Sequence, residues 1–291
     1  MPAVSDLANA AVSGVLTGTV YGLMALGLSA IFGVIRLVNF AHGELMTVAM
    51  YTAVVAFQRL ALDPFVTMLA AAVAFAALGY ALQRGFIGRF IGRPEHAQML
   101  LMIALAMIIG NALLLGFGPD ARNVQTDYQL DSFAWGPLLL DKVRVYAAGA
   151  AILATALLAA FFRLTLTGKA IRACADNPLG ARVAGLPVAH LYAVTFGLGA
   201  ASVAVAGCAM VPLIDVTPGL GPGFTLLAFV IVILGGLGSM VGALLGGVVI
   251  GLSEALAGVL IAPSAKSMVS FGLLVVILLA RPQGLLGAGR R

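Results

Sequence analysis

Residues 36–46, RLVNFAHGELM, hold an arginine, an asparagine, a histidine and a glutamate within a chain that is otherwise strongly apolar. His42 and Glu44 are residue types that ligate metals or move protons, and Asn39 is a type that caps helices or binds polar solutes. A metal site fails on spacing, because positions i and i+2 project to different faces of a helix and no third ligand is close in sequence. Glu254, within VVIGLSEALAGVL, is the acid set deepest in an apolar run. An acid inside a membrane marks function by default, although a protonated glutamate bonded to a neighbouring helix would satisfy the position structurally. The segment GLGS (236–239) offers a serine, but His42, His96 and His190 all lie outside the later apolar runs, so a Ser–His pair is not expected. No phosphate-binding loop, GxGxxG turn or zinc spacing occurs, and the chain has no evident means of hydrolysing ATP. No catalytic residue, metal site or cofactor is therefore expected.

The elements around these residues must be membrane helices. Of 291 residues, 62% are hydrophobic and 9% are charged, against about 25% charged in a typical soluble domain. The mean hydropathy is +1.11. Solid apolar blocks, rather than alternation over short segments, exclude a transmembrane β-barrel and leave an all-α polytopic bundle. Thirty-six glycines point to helices that approach backbone to backbone, since lipid gives no hydrophobic drive for helix association. The N-terminal MPAVSDLANA carries an acid and no base, so the first apolar run is expected to be a retained helix rather than a cleaved signal. Cys174 and Cys208 lie in unlike segments and suggest neither a disulfide nor a metal site. The net charge of +5 sits in short loops between apolar runs, which fits the positive-inside rule better than nucleic-acid binding.

Spans of about 20 apolar residues fall near 10–35, 42–58, 64–82, 97–117, 145–162 and 189–213. Residues 224–280 divide into three pieces at GGLGSMVG (235–242) and APSAKS (262–267), and Phe224 to Leu234 is short for a crossing. Loop 83–96, with Arg84, Arg89 and Arg93, and loop 163–188, with Arg163, Lys169, Arg172 and Arg182, are expected in the cytoplasm, as is the tail with Arg281, Arg290 and Arg291. The acidic loop 118–144 and IDVTPGLGPG (214–223), around Asp215, are expected outside. Nine crossings result, eight if the short piece does not span, with the N-terminus outside and the C-terminus inside.

Residues 164–188 carry the clearest local signals. Gly168 is expected to open a helix that stops at Asn177, because a residue before proline leaves the α region. Asn177 then caps a second helix with Pro178 at its first position, Gly185 at its stop and Pro187 beyond. Either the basic loop merely obeys topology, or its start and stop signals build a docking surface. In the same way, Asn39 can cap a helix starting at Phe40 with Glu44 near its positive end. Alternatively, residues 39–43 interrupt a helix and border a translocation path.

Five ordered blocks, YGLMALGLSAIFGV (21–34), NFAHGELM (39–46) with Tyr51 following, GKAIRACADNPLGARVAGL (168–186), ILGGLGSMVGALLGG (233–247) and RPQGLLG (281–287), resemble the LivH-type membrane permease of branched-chain amino acid ABC importers. The likeness runs over nearly the whole chain. It implies a single permease domain, 1–291, in the bacterial inner membrane. The implied partners are a LivM-type permease, two cytoplasmic ATPase subunits and a periplasmic solute-binding protein; nucleic acid is not among them. It also implies that loop 163–188 couples to an ATPase, through Gly168, Lys169, Arg172, Asp176, Asn177, Pro178, Arg182 and Gly185. The Glu-Ala-Ala signature of many ABC importers is missing before Gly180. Asn39, His42, Glu44 and Glu254 are the candidates for the path. The pattern also serves importers of urea, amides and other small solutes, so the substrate does not follow from it.

Two other classes compete. An ion-coupled carrier needs midplane acids or unwound carbonyls of its own, for which Glu254 and residues 39–43 are the candidates. An intramembrane enzyme needs a convergent nucleophile, base or metal set, and none is visible.

Overall fold

The apolar blocks fold as helices, seen in a computed structural model that describes residues 4–135, 138–281 and 283–286. Eleven α-helices follow in order: α1 (Val4–Ile35), α2 (His42–Leu60), α3 (Pro64–Gly85), α4 (Glu95–Phe117), α5 (Lys142–Leu164), α6 (Leu166–Asp176), α7 (Pro178–Val183), α8 (Val188–Met210), α9 (Leu220–Gly235), α10 (Met240–Leu260) and α11 (Lys266–Ala280). Among the described residues seven helical segments are long and apolar enough to cross a membrane, while α9 is apolar but shorter. Local chemistry marks the ends. Asp63, Asp141 and Ser239 accept hydrogen bonds from the first-turn amides of α3, α5 and α10, and Gly118 and Gly236, with φ of +76° and +104°, close α4 and α9.

Small residues set how the bundle packs. Gly14, Gly18 and Gly22 of α1 lie directly on Gly251, Gly247 and Leu244 of α10, and a Cβ added at Gly18 would stand 2.7 Å from the Gly247 carbonyl. Gly79 and Gly197 bring α3 against α8, and Gly27 and Gly199 bring α1 against α8. Such approach lets dispersion and backbone contacts act at short range, as expected where lipid competes with apolar side chains. Gly18→Leu and Gly247→Leu should therefore overpack this seam at about 1–3 kcal/mol or more each. The check is the yield of monodisperse protein and its melting temperature in detergent; unchanged values for both variants would contradict the packing argument.

The two ends of the bundle differ in chemistry. At one end meet the close of α1, α3 and α9, the helices α6 and α7, and the segment after α11, where Leu285 and Leu286 donate backbone hydrogen bonds to Leu234 and Gly235. At the other end the segment 118–141 carries an antiparallel hairpin, β1 (Ser132–Trp135) with β2 (Leu138–Asp141), pairing Phe133 with Leu140. Arg122 and Val216 bridge this segment to the one before α9, and Asn123 bonds to Asp215. The Tyr128 hydroxyl donates to the Asp63 carboxylate; burial first, and this bond second, hold the phenol above its usual range. Among the described residues the two ion pairs, Lys142–Asp131 and Arg144–Asp141, both stand at this hairpin end.

Several boundaries depart from the sequence expectation. The hairpin at 132–141 was not anticipated, because two four-residue strands carry too little alternation to read. The turn expected over 214–223 ends early, since α9 begins at Leu220 and takes Pro222 into its first turn, where a missing N–H costs nothing. Arg281 is described; Arg290 and Arg291 lie outside the described residues.

Candidate functional site: the α2–α4–α9 cavity and the α6–α7 elbow

The chain leaves α1 at Arg36, which has a left-handed φ of +58°, and turns back into the bundle. Residues 37–41 climb without helical structure, with Leu37, Asn39 and Ala41 fully buried. His42 Nε2 lies 2.9 Å from the Met24 carbonyl, about three turns before the end of α1. The helix α2 thus starts within the bundle. Irregular backbone at this depth survives because protein, not lipid, surrounds it. Asn39 does not cap a helix at Phe40. Its Oδ1 accepts from the Ala41 amide at 3.1 Å, and α2 starts two residues later than expected. The side chain closes a local turn, and the helix waits until the climb is complete.

At its start α2 crosses the start of α9. Gly43 and Gly221 lie backbone to backbone. The Gly43 amide donates to Thr225 Oγ1 at 2.9 Å, and that hydroxyl donates to the Phe40 carbonyl at 3.3 Å. Glu44, 4% exposed, packs its carboxyl group against Gly221 and beside Gly110 of α4. Its Oε2 is buried without a hydrogen-bond partner. A cavity of about 790 Å³ opens here, lined by Phe40, Glu44, Met107, Asn111, Thr217 and Thr225 among others. It is mostly apolar, with one acid and the N-terminal turn of α9 at its edge, a combination able to hold a small amphipathic solute.

Of the four residues the sequence singled out, only Glu44 lines this cavity; Asn39 and His42 are buried in the backbone that leads to it, bonded to Ala41 and Met24, and Glu254 lies elsewhere. Glu254 accepts from Ser270 of α11 at 2.8 Å and lines a separate cavity of about 450 Å³ with Tyr21 and Lys266, on another face of α9. Sequence reasoning missed Thr225, Asn111, Gly110 and Gly221, which reach the site only through the α2–α4–α9 crossing. No local pattern distinguishes them.

The helices α6 and α7 form an elbow at the basic end. α6 opens at Leu166, earlier than Gly168, because Thr165 is the cap: its Oγ1 accepts from the Gly168 amide at 2.9 Å. Gly168 is the third residue of the helix, buried against Phe161 and Phe162, where a side chain would clash. Asn177 Oδ1 accepts from the Gly180 amide at 2.8 Å, with Pro178 leading α7. Gly185, at φ +80°, ends it: the amides of Gly185 and Leu186 donate to the carbonyls of Arg182 and Ala181. Lys169, Arg172, Asp176, Asn177, Arg182 and Gly185 are exposed and Pro178 is half-buried. Leu179 and Val183, one turn apart, are 71% and 84% exposed. An exposed apolar pair on a basic elbow suits a protein partner. Cys174 anchors the elbow from below, and burial pushes its thiol above the usual range. Asn177→Ala should cost the elbow about 1 kcal/mol by removing its cap, which faster proteolysis at 177–186 would reveal.

A helical bundle of this kind, with seven described segments long and apolar enough to cross a membrane, has the architecture of a multi-pass membrane protein. The family model described as branched-chain amino acid transport system, permease component, matches residues 10–278, and the chain belongs to that family. The chain is 30% identical to the high-affinity branched-chain amino acid transport system permease protein BraD of Pseudomonas aeruginosa, over 99% of this chain and 98% of the relative. It is 31% identical to the LivH permease proteins of Salmonella typhimurium and Escherichia coli K12, over 94% of either chain in each case. A probable LivH permease of Methanocaldococcus jannaschii is 25% identical over 91% of this chain. No solved structure matches the chain.

Proposed function

We propose that the chain is the LivH-type half of an ATP-binding-cassette importer in the inner membrane, passing branched-chain amino acids or related small solutes by alternating access. Membership of a permease-component family over residues 10–278 carries this reading. Its partners are a second, LivM-type permease, two cytoplasmic ATPases and a periplasmic binding protein; the chain itself catalyses nothing. The elbow end holds Arg84, Arg89, Arg93, Arg163, Lys169, Arg172 and Arg182 against few acids, which supports a cytoplasmic elbow, an external N-terminus and nine crossings with α2 and α9 included. ATP binding draws the elbows of two permeases together, with α7 seated on the ATPase. The energy enters as differential affinity of the ATPases for two conformations. Solute passes the cavity at Glu44, with Asn39 and His42 holding its wall.

The test is reconstitution. Uptake in proteoliposomes should require the second permease, the ATPases and ATP. Uptake by this chain alone under a proton or sodium gradient would overturn the proposal in favour of an ion-coupled carrier, for which the Glu254 cavity is the favouring observation.

A further inference from the structure

A second polar pocket stands apart from the solute cavity, at the bundle end that carries the elbow. It has a volume of about 300 Å³ and is lined by Gln83 and Arg84 from the last turn of α3, Arg89 from the turn that follows, Arg182 of α7, and Val188 and Tyr192 from the start of α8. No acid lines it, and among the described residues none of these arginines forms an ion pair. Gln83 is 1% exposed, yet neither its Oε1 nor its Nε2 has a hydrogen-bond partner. Buried amides are almost always partnered, and three exposed guanidinium groups gathered with no acid among them make a positive field at the mouth of the pocket. Orientation within the membrane needs basic residues but no cavity and no unpaired buried amide. All three cations are arginines, whose planar forks match phosphate oxygens in pairs.

We propose that this pocket is a binding site for a phosphate group, the headgroup phosphate of an anionic phospholipid being the source its depth favours. Gln83 and Arg84 stand in the last turn of one membrane helix and Val188 and Tyr192 at the start of another, with Arg89 and Arg182 in the segments just outside them, which is where lipid headgroups lie whichever way the chain crosses. A rotation of the shielded Gln83 side chain would bring its amide Nε2 to one phosphate oxygen while Arg89 and Arg182 take the others. A bound phosphate would tie α7 to α3 and α8. A soluble phosphate compound offers the same chemistry and is the rival source.

The test is native mass spectrometry of the full chain purified in detergent, with phosphatidylglycerol and phosphatidylcholine as competing probes. Phosphatidylglycerol should stay bound under activation that strips phosphatidylcholine, and the R89A/R182A double variant should lose it. Gln83→Leu fills the same space without the donor. It should also weaken retention, and it decides the matter if the double variant does not fold. Displacement of the lipid by inorganic phosphate would assign the pocket to soluble phosphates, and persistence of the lipid to the headgroup. Equal retention of both lipids, or undiminished retention by Gln83→Leu and the double variant, would overturn the proposal.

Discussion

Deletion of residues 177–184 should abolish ATP-driven uptake while the protein still inserts and purifies. The segment lies on the surface, and its removal takes α7 with the exposed Leu179 and Val183 but leaves every long helix intact. On the proposed coupling, the ATPases would lose with α7 the contact that differs between the two states of the permease, and a ligand without differential affinity shifts nothing. Gly185→Pro should act almost as severely. Proline cannot adopt φ +80° and lacks the amide that donates to Arg182. Gly185→Ala, which keeps that amide but strains the backbone by about 1–2 kcal/mol, should be intermediate. Co-purification of the ATPase at normal yield with the deletion variant would show that docking lies elsewhere.

Glu44→Gln should have the second largest effect. On the proposed path the free Oε2 meets the ammonium group of an amino-acid solute, and a charge-assisted hydrogen bond contributes about 1.5–3 kcal/mol, so the apparent affinity should fall roughly ten- to a hundredfold. Because the amide nearly matches the carboxylate in shape, expression and melting temperature should hold. Gly221→Ala supplies the companion result: its methyl group would occupy the space of the Glu44 carboxyl group and should depress transport with the acid still present. Normal concentration dependence in Glu44→Gln, measured with the complete importer, would remove this carboxylate from the path.

These predictions draw on features of unequal legibility. The apolar blocks, the cap at Asn177 and the stop at Gly185 are visible because each rests on a few adjacent residues and obeys local rules. The elbow's opening was displaced by two residues because Gly168, whose role is close packing on α5, looked like a boundary, while Thr165 did the capping. Asn39 misled in a related way. Its side chain does bond to backbone, but the path of 37–41 back into the bundle delays the helix, and nothing local encodes that path. Glu44 stood out as an acid in an apolar context. Its surroundings, Gly110, Gly221 and Thr225, come from helices far along the chain, and a glycine that admits a carboxyl group reads the same as one that admits a neighbouring helix.

The glycine seam between α1 and α10 has a mechanical consequence. Two helices meshed at the level of their main chains have no side-chain layer to shear, so the pair must travel as one stiff beam. Rocking that opened the cavity first to one side and then to the other would meet least resistance from within the chain at α4 and α11. Among the described helices of membrane-spanning length these are the least covered by the rest of the chain.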